Sequence, residues 1–523
     1  MNMDATSPEV ASVNVNENKT TEQKTIEKFN KLLENSGYGF KQYQYDGAEW
    51  CTRCEASNRG GIYADEMGLG KTFTMIAVMF INFKRRTLIV LPPVLIEQWI
   101  KELYKCTGHK PLVYHGTNKN KNKITQEDLE RAPIVITSYS MLLPRRKTQP
   151  LNETPLHKIK WSRIIFDEAH HLRNSQTTRF KACDAIMAPI RWLVTGTPIQ
   201  NRRRDFYSLC KIVGLKSEFY TNPDNLEVIR NDYMIKRTKE QVGILLPPII
   251  THHEKVEWQD QAEKKLSEEI HSLLPNQTNV SSNYISGLLA DSISGSTENY
   301  KLLAILKARQ SCILPALIKP TIKNIQKEKE DTDDISDSED ISDNEDISDN
   351  EDEDTNKEEY NKGAGYSSKL DAVINRILER KDNGNGKIIF CHFKDEIDFV
   401  ATKLRQGGLQ KVVTYDGRNS KKGIKNISDA ADAIVIQIQT GCEGLNLQQN
   451  FSEIYFISPH WNPSVEDQAV ARCHRIGQVK PTNVFKFEMT SFDTDADQDE
   501  EHQPTTLENY VNKVQKTKRD LYL

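Results

Sequence analysis

The sequence lacks the long apolar stretches of a membrane protein, since no apolar run reaches the roughly 18 residues that a spanning helix requires. Its amino terminus, MNMDATSPEVASVNVNENKT, is polar and lacks the basic and then apolar layout of a secretory signal. Cysteine is sparse as well, because nine cysteines are scattered along 523 residues, which is typical of a reducing compartment and not of a disulfide framework. We therefore expect an intracellular protein with no membrane partner.

One cysteine pair has the spacing of half a zinc site. Cys51 and Cys54 form a C-x-x-C, but no second pair of Cys or His residues lies within zinc-site spacing of it. Two thiols buried on one helix are the favoured interpretation, with a metal site as the alternative.

The net charge of −4 conceals an uneven distribution. The segment from Asp331 to Asp354 contains fourteen acidic residues and no basic residue, so the rest of the chain carries a net charge of +10. It includes three tandem hexapeptides, DISDSE and twice DISDNE. Such a composition cannot bury a core, which predicts a disordered acidic linker over residues 326–362. The basic remainder is compatible with nucleic-acid binding, and a solvated charged surface would explain it equally well.

A glycine-containing loop, Asp65–Thr72 (DEMGLGKT), has the pattern of a site for a nucleoside triphosphate. Gly68 and Gly70 allow a tight turn that points backbone amides at phosphate oxygens. Lys71 can bring a positive charge to the β- and γ-phosphates, and the hydroxyl of Thr72 can coordinate magnesium. The flanking sequences predict a strand before the loop and a buried helix after it, whose dipole would favour a bound anion.

A second motif, Phe166–His170 (FDEAH, a DEAH box), ends an apolar strand in two adjacent carboxylates. Asp167 could hold magnesium, and Glu168 could orient or deprotonate the attacking water in phosphoryl transfer. A surface acidic pair is the alternative, but the preceding Ile-Ile-Phe sequence places the pair at the end of a buried strand. Together with the phosphate loop, this motif predicts an ATP site that uses magnesium.

Short apolar strands alternate with helical segments before and after the acidic linker. The strand patterns are GGIYA, TLIVL, APIVITS, SRIIFD and IRWLV in the first half, and KIIFCHF, KVVTY, AIVIQ, EIYFIS and NVFKF in the second. Continuous apolar strands separated by helices indicate parallel sheets that are covered on both faces. The sequence therefore predicts an α/β protein with two lobes, whose active groups lie at the carboxyl ends of the strands.

We expect the following organisation along the chain. It comprises a disordered amino terminus (1–24), an ATP-binding lobe (25–250), a helical insertion (251–325) with a strand near 252–258, the acidic linker (326–362), a second lobe (363–490), and an acidic break followed by a terminal helix (491–523).

Two further groups of polar residues have functional and ordinary interpretations. Gln468, Arg472 and Arg475 lie four and three residues apart in a predicted helix, hence roughly on one face. The arginines could be surface ion-pair partners, or they could neutralise γ-phosphate charge when the lobes close. Gln44 lies at a predicted helix start, where its amide could read an adenine edge; an ordinary amphipathic helix is the alternative.

Together, the motifs resemble those of the Swi/Snf-type ATPases of helicase superfamily two. The strings that carry the resemblance are YQYDGAEW, DEMGLGKT, LPPVLIEQW, ITSYSMLL, FDEAHHLRN, LVTGTPIQN, IIFCHF, TGCEGLNL and HWNPSVEDQAVARCHRIGQ, in the family's order. The tail TLENYVNKVQKTKRDL resembles the family's brace helix. Asp65 departs from the general pattern G-x-x-x-x-G-K-[ST], but this family also has aspartate there. Cys442 stands where the family commonly has glycine.

The resemblance implies two RecA-like lobes and a set of nucleotide-binding and catalytic residues. Cofactor-binding residues would be Gln44, Asp65, Glu66, Met67, Gly68, Leu69, Gly70, Lys71, Thr72 and Gln468. Catalysis would use Lys71, Asp167, Glu168 and two arginine fingers, Arg472 and Arg475. Magnesium would be held by Thr72 and Asp167.

The resemblance also implies residues for coupling and for DNA. Residues Thr195–Asn201 would couple hydrolysis to lobe movement. DNA backbone contacts would come from the Pro92–Pro93 loop, Thr137, Ser138, the His392 region and the loop from Gly441 to Asn446.

The resulting hypothesis is an ATP-driven translocase on double-stranded DNA that remodels or displaces nucleoprotein without reading sequence. A strand-separating helicase is one alternative, disfavoured because the sequence has no evident wedge-like insertion. A nucleotide-dependent scaffold, whose acidic segment recruits histones or other basic proteins, is another. The family implies a nuclear location, whereas the abundance of Lys, Asn and Ile would also suit the replication compartment or virion of a large DNA virus. The oligomeric state and the pathway stay open.

Overall fold

The computed structural model describes two compact units. The described residues are 20–116, 124–144, 150–198, 203–272, 274, 297–318, 367–416, 431–441, 447–492 and 506–520. The first unit ends at Val242 and the second begins at Gly243. The expected acidic linker, residues 326–362, lies outside the described residues, as do residues 1–19 of the amino terminus.

The first unit is built on a parallel sheet. Its strands are β1 (Gly61–Tyr63), β2 (Thr87–Leu91), β3 (Leu112–Tyr114), β4 (Ile134–Ser138), β5 (Arg163–Asp167), β6 (Ile190–Val194) and β7 (Met234–Ile235). Its described helices are α1 (Thr21–Ser36), α2 (Gln42–Ala56), α3 (Lys71–Ile81), α4 (Ile96–Thr107), α5 (Gln126–Arg131), α6 (Thr178–Asp184), α7 (Arg203–Val213), α8 (Ser217–Tyr220) and α9 (Leu226–Asp232). The strand order is β3-β4-β2-β5-β6-β1-β7, with every pair parallel.

Local sequence signals account for several helix ends in this unit. Helix α1 begins after a capping box in which Thr20 and Gln23 satisfy each other's backbone amides. It starts at Thr21, so the last residues of the segment 1–24, which we expected to be disordered, are helical. Helix α4 ends at Gly108, whose φ of 69° is the left-handed conformation that glycine adopts without steric cost.

The core of the first unit lies between the sheet and helices α1 to α4. Phe29 of α1, Met75 of α3 and Trp99 of α4 are fully buried, and they belong to one apolar cluster with Ile165 and Trp192 of the sheet. Burial of side chains of this size stabilises a fold by about 1.5–3 kcal/mol each. The same packing fixes α3 and α4 relative to the carboxyl ends of the strands.

Two strands of this sheet were not expected from the sequence. Strand β3 has three residues and β7 has two, which is too short for an apolar pattern to stand out from the surrounding chain. Both lie at the edges of the sheet, where a strand pairs on one side only. Their existence is therefore a consequence of tertiary pairing.

The second unit contains a parallel sheet of its own. Its strands are β8 (Ile249–Val256), β9 (Gly386–Cys391), β10 (Val412–Tyr415), β11 (Ala433–Gln437), β12 (Phe451–Phe456) and β13 (Thr482–Met489). Its described helices are α10 (Gln261–His271), α11 (Thr297–Ile313), α12 (Ser368–Glu379), α13 (Lys394–Gln406), α14 (Ile438–Gly441), α15 (Pro463–Val470) and α16 (Leu507–Asp520). The order is β10-β11-β9-β12-β13-β8, again with every pair parallel. The predicted α/β class with two parallel-sheet lobes is confirmed.

The structure corrects the expected division of the chain. We expected residues 251–325 to form a helical insertion between the lobes, with the first lobe reaching residue 250. Instead, the second unit begins at Gly243, and β8 pairs with β13 over eight residues as the edge strand of the second sheet. The strand expected near 252–258 overlaps β8, but its membership in the second sheet was not expected from the sequence.

A buried ion pair joins the elements at the amino-terminal edge of the first sheet. The carboxylate of Glu55 accepts hydrogen bonds from Arg163 Nε at 2.6 Å, from Trp192 Nε1 at 2.9 Å and from Asn82 Nδ2 at 2.7 Å. Arg163 Nη2 donates to the same carboxylate and, at 2.6 Å, to the carbonyl of Asn82. Both charged side chains are fully buried, so each depends on the other for compensation.

Replacement of Glu55 by Gln should lower the free energy of unfolding by about 3–5 kcal/mol, because it leaves the buried guanidinium of Arg163 uncompensated. The measurement is urea unfolding of the full chain, followed by tryptophan fluorescence. Glu49→Gln is the matched control, since Glu49 pairs with Arg53 at 3.9 Å on the surface and should contribute less than about 1 kcal/mol. Equal unfolding midpoints for the two variants would contradict the prediction.

A buried carboxyl group makes the stability of the second unit depend on pH. Glu396 is fully buried at the start of α13, where its Oε2 accepts hydrogen bonds from the backbone amides of His392 at 2.8 Å and Phe393 at 2.9 Å. Burial raises the pKa of Glu396 to about 7, although these two amides and the charges of Lys369 and Arg309 act in the opposite direction. The folded state therefore holds this proton more tightly than the unfolded state does.

Since an unfolded glutamate ionises near pH 4.5 and the folded Glu396 near pH 7, stability should fall by about 3 kcal/mol as the pH rises between these values. Glu396→Gln should remove that loss and be more stable than the wild type above pH 7. Thermal unfolding measured from pH 4.5 to pH 8 tests this. Asp398→Asn, an exposed carboxylate on the same helix, is the control and should keep the wild-type dependence.

Candidate functional site

The phosphate loop lies between β1 and α3, at the carboxyl edge of the first sheet. Gly68 and Gly70 have φ values of 93° and 84°, which only glycine adopts readily, and Gly70 caps α3. A Cβ atom at Gly70 would also lie 2.5 Å from Nε2 of Gln44. Of the loop residues, Asp65 and Leu69 are buried, whereas Glu66, Met67, Gly68, Gly70, Lys71 and Thr72 are half-buried.

Lys71 is held by the loop itself. Its Nζ donates to the carbonyl of Asp65 at 3.0 Å and lies 3.5 Å from the carbonyl of Glu66. The ammonium group is therefore folded back over the loop, where phosphate oxygens would lie. Thr72, the next residue, is in the first turn of α3.

Gln44 also contacts the loop. It is buried on α2, and its Nε2 donates to the carbonyl of Leu69 at 3.0 Å. The amide thus contacts the loop backbone directly. The structure places Gln44 in the site, while its expected role toward adenine stays a prediction.

Asp65 is held by an arginine that the sequence did not single out. Its carboxylate accepts from Arg237 Nη2 at 2.6 Å and Nε at 3.0 Å, and from the hydroxyl of Tyr63 at 2.8 Å. Arg237 also donates to the carbonyl of Tyr43 at 2.6 Å. Two residues later, Lys239 forms an ion pair with Glu66 at 2.7 Å. No sequence signal links these residues, because 172 positions separate Asp65 from Arg237.

The two adjacent carboxylates lie level with the loop. Tyr63 at the end of β1 and Asp167 at the end of β5 both pair with Val194 of the intervening β6. Neighbouring strands are about 4.8 Å apart, so the ends of β1 and β5 are roughly 10 Å apart. The structure thus brings Asp167 and Glu168 to the edge that carries Lys71.

Asp167 is buried and held by its neighbours. Its Oδ2 accepts from the indole Nε1 of Trp99 at 2.7 Å, and its Oδ1 accepts from the backbone amide of Glu168 at 2.9 Å. The hydroxyl of Tyr139 donates to its carbonyl at 2.7 Å. Burial, and then the neighbouring Glu168, raise the pKa of Asp167 to about 6, while the Trp99 hydrogen bond and the charge of Lys71 lower it. No pattern in the sequence singles out Trp99 or Tyr139 as a site residue.

Glu168 has an unusual backbone conformation. Its φ of 48° lies in the left-handed region, which costs a residue with a side chain of order 1 kcal/mol or more and is concentrated at functional sites. Its Oε2 lies 3.3 Å from Nδ1 of His170, and both side chains are mostly shielded from solvent.

The stretch after β6 approaches the phosphate loop closely. A Cβ atom at Gly196 would lie 2.7 Å from Cγ of Met67 and 3.4 Å from Nζ of Lys71. Thr195 is buried, and its amide donates to the carbonyl of Tyr63. The segment expected to couple hydrolysis to movement therefore touches the loop at its start, while its residues 199–201 lie outside the described residues.

These residues fit a nucleoside triphosphate with a divalent cation. The two left-handed glycines shape the loop, a Cβ at Gly70 would collide with Gln44, and Lys71 supplies a cation at the start of a helix. The Thr72 hydroxyl and the Asp167 carboxylate are hard oxygen donors of the kind that magnesium prefers.

The structure corrects one expectation about the second unit. We expected Gln468, Arg472 and Arg475 to lie on one helix, but α15 ends at Val470. After Val470 the chain forms tighter turns than an α-helix. The amide of Arg472 donates to the carbonyl of Ala469, three residues earlier, and the amide of Arg475 donates to the carbonyl of Cys473, two residues earlier. The turn follows from tertiary contacts, because Cys473 is fully buried and the carbonyl of Arg472 accepts from the amide of Leu447.

The two arginines nevertheless remain close together. Burial, and then the charge of Arg472, lower the pKa of Arg475 to about 10, so the guanidinium of Arg475 stays charged at neutral pH. Gln468 is buried on α15.

The expected DNA contacts have different outcomes. Thr137 and Ser138 are buried, with Thr137 Oγ1 donating to Tyr114 at 2.7 Å and Ser138 Oγ bonded to His115 Nδ1 at 2.9 Å. His392 is likewise buried, against His460. Their side chains cannot reach DNA in this conformation. Pro93 is exposed and Pro92 is buried, and the loop after Gly441 lies outside the described residues.

The C-x-x-C motif contributes two buried thiols to the core of the first unit. Cys51 and Cys54 lie on α2, and burial raises the pKa of both. Within the described residues, no cluster of three or more His, Cys, Asp or Glu side chains is arranged to hold a metal ion. None of the described helices is both long and apolar enough to cross a membrane.

Several known proteins are similar to this chain. The Probable global transactivator of Orgyia pseudotsugata multicapsid polyhedrosis virus is 28% identical over 472 residues, which cover 85% of each chain. An uncharacterized ATP-dependent helicase of Mycoplasma genitalium is 28% identical over 475 residues, 85% of this chain and 40% of its own. The DNA excision repair protein ERCC-6-like of Danio rerio is 25% identical over 484 residues, 82% of this chain and 33% of its own. The chain thus spans less than half the length of the last two.

Two family models match the chain. The SNF2-related domain matches residues 43–313, just over half of the chain, and the helicase conserved C-terminal domain matches residues 368–477. The first range contains the phosphate loop and the carboxylate pair, and the second contains the two arginines. The chain belongs to the SNF2 family of ATP-dependent, helicase-like enzymes.

Proposed function

We propose that this protein is an ATP-driven translocase on double-stranded DNA that remodels or displaces nucleoprotein without separating the strands. One observation carries the proposal, namely the convergence of the phosphate loop and the pair Asp167–Glu168 at one edge of a parallel sheet in a chain of the SNF2 family. The relatedness to DNA repair proteins supports DNA as the substrate on which the motor acts.

The phosphate loop binds the nucleotide in this proposal. Backbone amides around Gly68 and Gly70 and the ammonium group of Lys71 bind phosphate oxygens. Thr72 and Asp167 would hold magnesium, which would neutralise phosphate charge when bound. Asp167 stays ionised at neutral pH, and Trp99 and the amide of Glu168 fix the orientation of its carboxylate.

Glu168 acts as the general base. Its carboxylate orients the attacking water and accepts its proton, and His170 at 3.3 Å keeps that carboxylate in position. The strained backbone of Glu168 supports this assignment, because strain of this kind is concentrated at functional sites.

Arg472 and Arg475 act as arginine fingers on the γ-phosphate. Two guanidinium groups held close together repel each other, and an anion such as the γ-phosphate would relieve that repulsion. Gln468 assists them from the preceding helix. Gln44 forms hydrogen bonds with the edge of adenine once its present hydrogen bond to the carbonyl of Leu69 is broken.

DNA is held through its backbone in this proposal. The buried side chains of Thr137 and Ser138 leave main-chain groups as the phosphate contacts at that edge of the first unit. The translocase acts where DNA is packaged or copied, in a nucleus or in the replication compartment of a large DNA virus; the viral and animal relatives support both settings.

Duplex DNA should stimulate ATP hydrolysis more strongly than single-stranded DNA or RNA does. The measurement is steady-state hydrolysis with no nucleic acid and with each of the three. Glu168→Gln should lower turnover at least about 100-fold and provides the blank. Equal stimulation by single strands would favour a strand-separating helicase. No stimulation by any nucleic acid would contradict the motor and favour a nucleotide-dependent scaffold.

Trp99→Phe should raise the magnesium concentration needed for half-maximal ATP hydrolysis by about tenfold, because Asp167 loses the donor that orients its carboxylate. Saturating magnesium should restore most of the rate. Trp161→Phe is the matched control, since that indole is also buried but donates to the carbonyl of Leu156 at 2.9 Å, away from the site. An unchanged magnesium requirement in Trp99→Phe would refute the assignment of Asp167.

A further inference from the structure

The phosphate loop is held by a short segment from the far end of the first unit. We call this segment, residues 236–239, the strap. The pairing of β1 with β7 continues past both strands, since the amide of Ala64 donates to Ile235 at 2.8 Å and that of Glu66 to Arg237 at 2.9 Å. The backbone entering the loop is therefore in register with the strap.

Side chains of the strap hold the first two residues of the loop. Arg237 binds both carboxylate oxygens of Asp65, and its own backbone amide donates to Asp65 Oδ1 at 3.1 Å. Lys239 binds Glu66 twice, through Nζ at 2.7 Å and through its backbone amide at 2.8 Å. Asp65 is 1% exposed, so its contact with Arg237 is largely shielded from water, whereas the Glu66 side chain that pairs with Lys239 is 40% exposed.

The same two loop residues hold Lys71, through the carbonyls of Asp65 and Glu66. Asp65 and Glu66 therefore each contact Lys71 through the backbone carbonyl and the strap through the side-chain carboxylate. A carboxylate released from the strap would have Lys71 as an alternative cation beside it. Two opposite unit charges a few ångströms apart attract each other strongly where water is largely excluded.

We infer that Arg237 and Lys239 are positioning residues that keep the carboxylates of Asp65 and Glu66 from competing with phosphate oxygens for Lys71. The inference rests on the proposed ATP site. It explains why the loop can carry an aspartate where the general phosphate-loop pattern has glycine, since the charge of that aspartate is neutralised by the strap.

The test is the affinity of the full chain for a fluorescent ADP analogue (methylanthraniloyl-ADP), measured without turnover. Arg237→Gln should weaken binding about tenfold, because Asp65 then pairs with Lys71. Adding Asp65→Asn should return the affinity to within about threefold of the wild type, because no buried carboxylate remains. Arg237→Lys keeps the charge and should also stay within about threefold.

The control is Arg59→Gln. Arg59 donates to the carbonyl of Asp232 at 2.7 Å and lies over the ring of Tyr233, so it borders the stretch just before the strap without touching the loop. Its replacement should leave the affinity unchanged. In hydrolysis assays, Arg237→Gln should raise KM for ATP more than it lowers kcat.

If Arg237 had a purely structural role, the double variant would bind the analogue no better than Arg237→Gln does, and that result would overturn the inference. Wild-type affinity in Arg237→Gln would overturn it as well. If Arg237→Gln does not fold, the test uses the double variant and Arg237→Lys. The inference would be refuted if these two variants bound the analogue as weakly as Lys71→Ala does. Failure of the proposed ATP site has a different signature, because the wild type itself would not bind the analogue and Lys71→Ala would change nothing.

Discussion

The candidate site depends on the parallel pairing of β6 with β1 on one side and with β5 on the other. Val194 is the partner of both Tyr63 and Asp167, so the chain leaves β1 and β5 at the same level and in the same direction. If either strand ran the other way, Lys71 and Asp167 would lie at opposite edges of the sheet. A one-residue shift would also exchange the side chains between the two buried faces of the sheet and disrupt the packing on both. The register that packs the core therefore also aligns the chemistry.

Strand β5 shows how the fold separates stability from chemistry. It begins with Arg163, whose buried charge is matched by Glu55, and it ends with Asp167, whose buried charge faces the site. Three fully buried apolar residues separate them. The second sheet has a similar arrangement at its amino-terminal edge, where Glu453 accepts from Arg380 and Asn383. In both sheets, charged groups thus stabilise the amino-terminal edge, while the carboxyl edge of the first sheet carries the polar groups of the site.

The sequence was sufficient for those parts of the fold and site that depend on local pattern. The conformations of DEMGLGKT and FDEAH follow from local sequence, because the backbone freedom of glycine and the apolar pattern of a buried strand are properties of a few neighbouring residues. The sequence was insufficient where long-range pairing decides the outcome, as for β7, β8 and Arg237. It also failed at Arg472, where helical spacing continued in the sequence but the helix ends at Val470 and the carbonyl of Arg472 accepts from the distant amide of Leu447. A residue such as Trp99 cannot be identified from sequence motifs, because its contribution to the site is a single hydrogen bond to Asp167.

The pairing of β8 with β13 has a consequence for synthesis of the chain. The strands of the first sheet are all present once residue 235 has been made, so that unit can fold while the rest is still being translated. The second sheet contains both residues 249–256 and residues 482–489, which are separated by more than 200 positions. Its edge strand must therefore wait for nearly the whole polypeptide to leave the ribosome. Nascent chains halted before residue 482 should hold a finished first unit and an open second one.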